Sequence, residues 1–192
     1  MKYFHYHTQQ THYDKELKKT RCIHVKKDNT RCKNNIIIGH KHCHIHRKIA
    51  LNLMIKKSTI ENAGDGLFAF KKGANNNEIV FKKDAKICDY IGEVIDDLEL
   101  RRRYGRNTAP YAIQLYNGLS QDAAIIRGIG ALANHDRRKA NVRLSIKRDN
   151  SGAQLVATKN IKNNEELFIN YGNSYKFNEN NVYTRTNNRK YN

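Results

Sequence analysis

The chain has 192 residues, with 36 Lys and Arg against 18 Asp and Glu, and a formal net charge of +18 with His neutral. That length holds one ordinary domain and a small appendage, and a hydrophobic fraction of 39% assigns part of it to tail. No apolar run can span a bilayer, and the start Met1-Lys2-Tyr3-Phe4-His5-Tyr6-His7 lacks the apolar stretch of a secretory signal, so the expectation is an intracellular protein, not secreted and with no membrane partner.

The positive charge points to a polyanion. The lysines and arginines are scattered, with short clusters at Lys26-Lys27, Arg101-Arg102-Arg103 and Arg137-Arg138-Lys139. This distribution suits general, non-specific contact with nucleic acid better than sequence reading.

Residues 1–20 alternate His, Tyr and Thr without a sustained period and read as a flexible tail. Residues 21–47 differ. Eight of the nine histidines lie at or before His46, and three of the four cysteines lie in this segment. Cys22 and Cys32 are separated by nine residues, Cys32 and Cys43 by ten, and Cys43 and His46 by two. Cys43-x-x-His46 puts two ligands on one tight turn, with Gly39 shortly before it, and Cys22 and Cys32 complete a tetrahedral set suited to zinc. A segment this short has no core of its own, so a metal would supply its folding energy. His44, then His24, His40 and His42, are alternatives for the His46 position. The competing account is free thiols in a loop with compositionally enriched histidines. The pattern looks like small Cys3His zinc modules carrying basic hairpins. Residues 48–54 are apolar enough for a short helix or packed linker.

From residue 55 the pattern turns to short strands. Ile55–Ser58 is a strand, residues 63–66 a turn, and residues 67–70 a second strand. Residues 78–81 and 85–95 follow as strands, broken at Gly92. Cys88 sits in an apolar alternation and reads as a small core residue. Asp96 or Asp97 caps a helix running to Tyr104, ended by residues 105–110; Pro110 suits a strand entry. Residues 111–116 alternate as a strand, Asn117-Gly118 signals a hairpin, and residues 154–158 form another strand.

Four motifs stand in order: Gly64-Asp65-Gly66-Leu67-Phe68-Ala69, Tyr90-Ile91-Gly92-Glu93, Ala133-Asn134-His135-Asp136 with Asn141-Val142, and Glu165-Glu166-Leu167-Phe168-Ile169-Asn170-Tyr171-Gly172. Each is weak alone. Together, over about residues 54–172, they resemble the SET domain of protein lysine methyltransferases.

The resemblance implies a mostly β fold of small curved sheets, with the last segment tucked through a loop in a pseudoknot; the zinc-binding module read from the Cys and His spacing lies N-terminal to it. The resemblance also implies S-adenosylmethionine as methyl donor, Tyr171 in the catalytic position, and Gly64, Asp65, Gly66, Tyr111, Asn134 and His135 in donor-side positions. Asn141 matches the terminal Asn of the loop. Ser120-Gln121-Asp122-Ala123 matches a strand carrying Asp-Ala. The position two before the catalytic Tyr, often Tyr or Phe in the family, is Ile169, which would line the substrate channel and leave room for more than one methyl group. There is no cysteine after Cys88 and hence no three-cysteine post-SET zinc site. Residues 173–192 would be a C-terminal tail, with Tyr175 and Phe177 closing the channel by packing. Asp136 replaces the family's Ser, the 136–140 loop is one residue longer with Ala140 in place of Pro, and Asn170 replaces Asp.

The implied function is methylation of a lysine in a protein substrate, with a histone or chromatin protein as first candidate. The implied location is the nucleus or, given the compact Lys- and Asn-rich chain, a site of viral DNA. The alternative is a weakly catalytic SET module that binds protein or nucleic acid through its basic surface.

Overall fold

The structure is a computed structural model and describes residues 20–36, 39–61, 63–105, 109 and 111–172. Pro110, Tyr175, Phe177 and the two tails (apart from Thr20) lie outside the described residues.

The N-terminal module is built around the Cys3His cluster. Two short strands, β1 (Thr20–Arg21) and β2 (Asn35–Ile36), pair antiparallel. Cys22, Cys32, Ile36 and Cys43 form its buried cluster. Helix α1 (His44–Ala50) starts inside the cluster, with Cys43 at its N-cap. Residues 48–54 are the end of α1, a bend at residues 51–52 and the first residues of β3 (Leu53–Lys57).

β3 pairs antiparallel with β4 (Asp65–Ala69), Leu53 opposite Ala69 and Lys57 opposite Asp65. β4 is buried along Leu67, Phe68 and Ala69, which explains its unbroken apolar run. β5 (Ile79–Phe81) pairs with β13 (Ile161–Lys162). The expected break at Gly92 separates β6 (Lys86–Tyr90) from β7 (Glu93–Ile95). Its cause is contact: a Cβ on Gly92 would lie 2.6 Å from the Asp122 carbonyl carbon and oxygen. Helix α2 (Asp97–Tyr104) is capped by Asp96, whose carboxylate accepts from the Glu99 N–H at 2.7 Å. The strand expected over residues 111–116 is shorter: β8 is Ala112–Gln114. The turn to β9 (Ser120–Asp122) claims the rest, with the Leu115 N–H bonded to the Leu119 carbonyl and Gly118 at φ +78°.

The largest sheet has the order β10-β14-β11-β12-β6. Its strands are β10 (Asn134–His135), β14 (Phe168–Ile169), β11 (Val142–Ile146), β12 (Ala153–Ala157) and β6. A 3-10 turn, Ile129–Leu132, leads into β10. β14 runs parallel to both β10 and β11, Asn134 opposite Phe168 and Val142 opposite Ile169. The connection 136–141 therefore passes across β14, and the late strand is threaded through an earlier loop. This is the pseudoknot the resemblance implies, an exception to the rule that chains avoid threading. The main core lies beneath this sheet and includes Leu53, Leu67, Leu155, Ile161, Leu167 and Ile169. Cys88 belongs to it, and burial pushes its thiol up to about 12, the behaviour of a core residue rather than a nucleophile. Among the described residues, no helix is long and apolar enough to cross a membrane.

Candidate active site and the Cys3His cluster

The crossing brings together residues distant in sequence. Asn134, in β10, donates from Nδ2 to the Asp65 carbonyl at 3.2 Å and to Glu166 Oε1 at 3.3 Å. Gly66 lies against the same groups: an added Cβ would fall 2.2 Å from Glu166 Oε1 and 3.3 Å from Asn134 Nδ2. No side chain fits there, which is the physical reason for the second glycine of Gly64-Asp65-Gly66. Gly64 has φ +75°, and a Cβ there would meet no protein atom within 4 Å. Its backbone thus faces open space.

Glu166 organises this wall. It is only 4% exposed, yet its carboxylate is fully served. Ser58 Oγ donates to Oε1 at 2.7 Å, while the Thr59 N–H (2.7 Å) and Oγ1 (2.6 Å) donate to Oε2. A buried carboxylate without such donors would be costly.

Tyr171 follows β14. Its N–H donates to His135 Nδ1 at 2.9 Å, and its hydroxyl donates to the Ala133 carbonyl at 3.0 Å. Burial holds the His135 imidazole below its ordinary pKa, which keeps Nδ1 available as an acceptor. Ile169 pairs in β14 with His135 and Val142, and its side chain is buried in the core. Tyr111 is half-buried; its carbonyl accepts from the Tyr90 hydroxyl at 2.8 Å. Burial pushes the Tyr90 phenol up, and Tyr171 and Tyr111 are near enough to add to the effect. Tyr116 is 79% exposed and takes no part in this cluster.

The altered 136–140 loop closes by a local device. Asp136 Oδ1 accepts from the N–H groups of Arg138 (2.9 Å) and Lys139 (3.1 Å). An aspartate at this position therefore caps its own turn and absorbs the longer loop.

In the N-terminal module, one ligand atom from each of Cys22, Cys32, Cys43 and His46 lies within 4.8 Å of the other three. His46 Nδ1 is 3.5 Å from Cys22 Sγ and 3.3 Å from Cys43 Sγ. The His24 ring stacks on His46 at 3.7 Å between centroids and fixes its plane. Burial opposes a thiolate at Cys43, but donors from His46, Asn34, Ile45 and Cys22 outweigh it and bring the thiol down to about 7. Three thiols and an imidazole converging at these distances fit one tetrahedral zinc.

Residues 64–172 match the SET domain family model. The chain belongs to the SET domain family. The histone-lysine N-methyltransferase mes-4 of Caenorhabditis elegans is 31% identical over 103 residues, which are 48% of this chain and 10% of that protein. A solved structure of ctPRC2 in an autoinhibited conformation, bound to S-adenosylmethionine, is 28% identical with a TM-score of 0.52. The match covers 75% of this chain and 17% of that one. The polycomb repressive complex 2 of Chaetomium thermophilum gives 28% identity and a TM-score of 0.53 over 77% of this chain and 17% of that chain. This chain thus spans about a tenth of the curated relative and under a fifth of those structures' chains.

Five contributors have a role that the sequence alone does not assign. Glu166 and Tyr90 lie inside quoted motifs, but only the fold shows what they touch. Arg127 stands in no motif; its guanidinium lies 3.9 Å over the Tyr111 ring. Ser58 and Thr59 had no signal beyond their place at the end of a strand.

Proposed function

We propose that this SET domain transfers a methyl group from S-adenosylmethionine to a lysine side chain of a protein, with a histone as first candidate and the nucleus as its place of action. The observation that carries the reading is the crossing itself, where Gly64–Gly66, Asn134–His135 and Tyr171 meet. It is supported by the likeness to ctPRC2 bound to S-adenosylmethionine and to the histone-lysine methyltransferase mes-4.

When bound, S-adenosylmethionine supplies a methyl group on a sulfonium, so the leaving group needs no protonation. The residues of the chain therefore position and desolvate. Gly64, Asp65 and Gly66 offer backbone along one wall, and Asn134 and His135 offer an amide side chain and main chain on the other. The Tyr171 hydroxyl donates to the Ala133 carbonyl, which fixes the phenol, and its oxygen would orient the lysine amine. An apolar channel past Ile169 would favour the neutral amine by desolvation. In the N-terminal module, Cys22, Cys32, Cys43 and His46 would hold zinc, which supplies folding energy rather than chemistry.

The alternative is a non-catalytic basic module; Lys26, Lys27, Arg137 and Arg138 are exposed and available for phosphate contact. Calorimetric titration with S-adenosylmethionine separates the two. The enzyme reading expects saturable binding that Asn134→Ala weakens; the absence of binding by the full chain contradicts it.

A further inference from the structure

The N-terminal module meets the SET domain at Arg127. Gly39 has φ +94°, and a Cβ there would lie 2.8 Å from the Arg127 carbonyl oxygen and 2.9 Å from its carbon. The two backbones are therefore in direct contact, at a place and conformation that favour glycine. The next residue adds a directed bond. Arg47 Nη1 lies 3.3 Å from His40 Nδ1. A guanidinium only donates, so Nδ1 accepts and Nε2 carries the proton. The Arg127 carbonyl beside the ring partly offsets the lowering of the His40 pKa by burial and by Arg47.

The Arg127 side chain is fixed as firmly as its backbone. Nε donates to the Ala123 carbonyl at 3.1 Å and Nη2 to the Ala124 carbonyl at 3.3 Å. This fork sets the guanidinium 3.9 Å over the Tyr111 ring. Lysine has neither the fork nor the flat face, so it would not reproduce the arrangement. The Tyr111 carbonyl in turn takes the Tyr90 hydroxyl at 2.8 Å and the Ala123 N–H at 3.0 Å. In the other direction, the chain runs from Arg127 through Gly128, bonded to the Ile91 carbonyl at 3.0 Å, and the 3-10 turn to Ala133, the acceptor of the Tyr171 hydroxyl.

We propose that Arg127 is a positioning residue for the lysine channel, and that the Cys3His module sets it in place through Gly39 and His40. The module then tunes Tyr111, which on this proposal is a wall of the lysine channel and not the donor-side residue the resemblance implies, while leaving the donor wall at Gly66, Asn134 and Glu166 untouched. This rests on the methyltransferase reading for its kinetic consequence, and on geometry alone for the coupling.

The test uses the full chain with 3-fluorotyrosine at position 111, followed by fluorine NMR, in the wild type, His40→Ala and Arg127→Met. Both variants are expected to move the Tyr111 resonance. Donor affinity should stay within about twofold of the wild type, while kcat/KM for a lysine peptide falls roughly fivefold, the scale of one partly desolvated cation–π contact. If Arg127→Met does not fold, Arg127→Lys, which keeps the charge and loses the fork, takes its place. An unmoved resonance in His40→Ala would overturn the role of the module. A moved resonance with unchanged peptide kinetics, or an equal loss of donor affinity, would overturn the positioning role. A wild type that binds no donor would sink the methyltransferase reading, and the fluorine measurement would still decide the coupling.

Discussion

Asn141 grips the backbone on both sides of Leu167. Its Nδ2 donates to the Glu166 carbonyl at 2.8 Å, and its Oδ1 accepts from the Phe168 N–H at 2.9 Å. One buried side-chain amide thus imitates a strand partner where β14 passes through the loop 136–141. Nδ2 also reaches Glu165 Oε1 at 3.0 Å. Asn141→Ala would leave a buried donor and a buried acceptor unpaired, at a cost of about 2–4 kcal/mol. Denaturant unfolding of the variant should show that loss. An unchanged midpoint would mean that the threaded strand does not depend on this clamp.

Tyr171→Phe removes one hydroxyl that donates to the Ala133 carbonyl and leaves the backbone bond to His135 intact. Donor affinity should change little, while turnover drops roughly tenfold to a hundredfold, as when one preorganised polar group is withdrawn from a transition state. Equal turnover in wild type and variant would remove Tyr171 from the catalytic role.

The Cys3His cluster should carry one zinc per chain by elemental analysis. Cys43→Ser should lose it and destabilise the module, because among the described residues its buried cluster is Cys22, Cys32, Ile36 and Cys43. A metal-free chain whose module resists proteolysis as the loaded one does is the contrary result.

His40 makes the joint between the module and the SET domain acid-sensitive. Burial first, and Arg47 second, lower its pKa to about 4 from 6.5. The unfolded chain takes up this proton near 6.5 and the folded chain only near 4, so the unfolded state binds more protons in that window. Stability from this group is therefore complete above pH 6.5 and falls as the pH drops toward 4, by up to ~3 kcal/mol. Zinc ligands also titrate under acid, so the comparison is with His40→Asn. The variant should show a shallower loss of stability between pH 6.5 and 4. Parallel curves would contradict the assignment.

If Ile169 lines the lysine channel as proposed, it bears on how many methyl groups are added. It is buried in β14 and has no hydroxyl with which to hold a water beside the methyl group. Dimethyl or trimethyl lysine should accumulate on a single-lysine peptide under long incubation, read by mass spectrometry. A product held at monomethyl that becomes dimethyl in Tyr111→Phe would move the restriction to Tyr111.

The sequence revealed the motif-bearing parts of this molecule because their reasons are local. Gly118 marks its hairpin, Asp96 caps its helix, and the Cys43-x-x-His46 pair sits on one turn, each through chemistry within a few residues. Tyr111–Tyr116 was read too long because alternation continues into residues that the turn consumes. Glu166 was seen only as a letter in a motif, since its partners Ser58 and Thr59 lie more than a hundred positions away. Arg127 was invisible because its partners come from three separate segments, and no periodicity records such a meeting. Threading by β14 came from the resemblance; no local pattern states that a strand passes through a loop.

The most direct test of the central claim is methyl transfer by the full chain, with labelled S-adenosylmethionine and core histones as acceptors, scored by mass spectrometry of lysine residues. The methyltransferase account predicts methylated lysine with the wild type and strongly reduced product with Tyr171→Phe. No lysine methylation from a folded, zinc-loaded chain that binds the donor, or equal methylation by Tyr171→Phe, would contradict it.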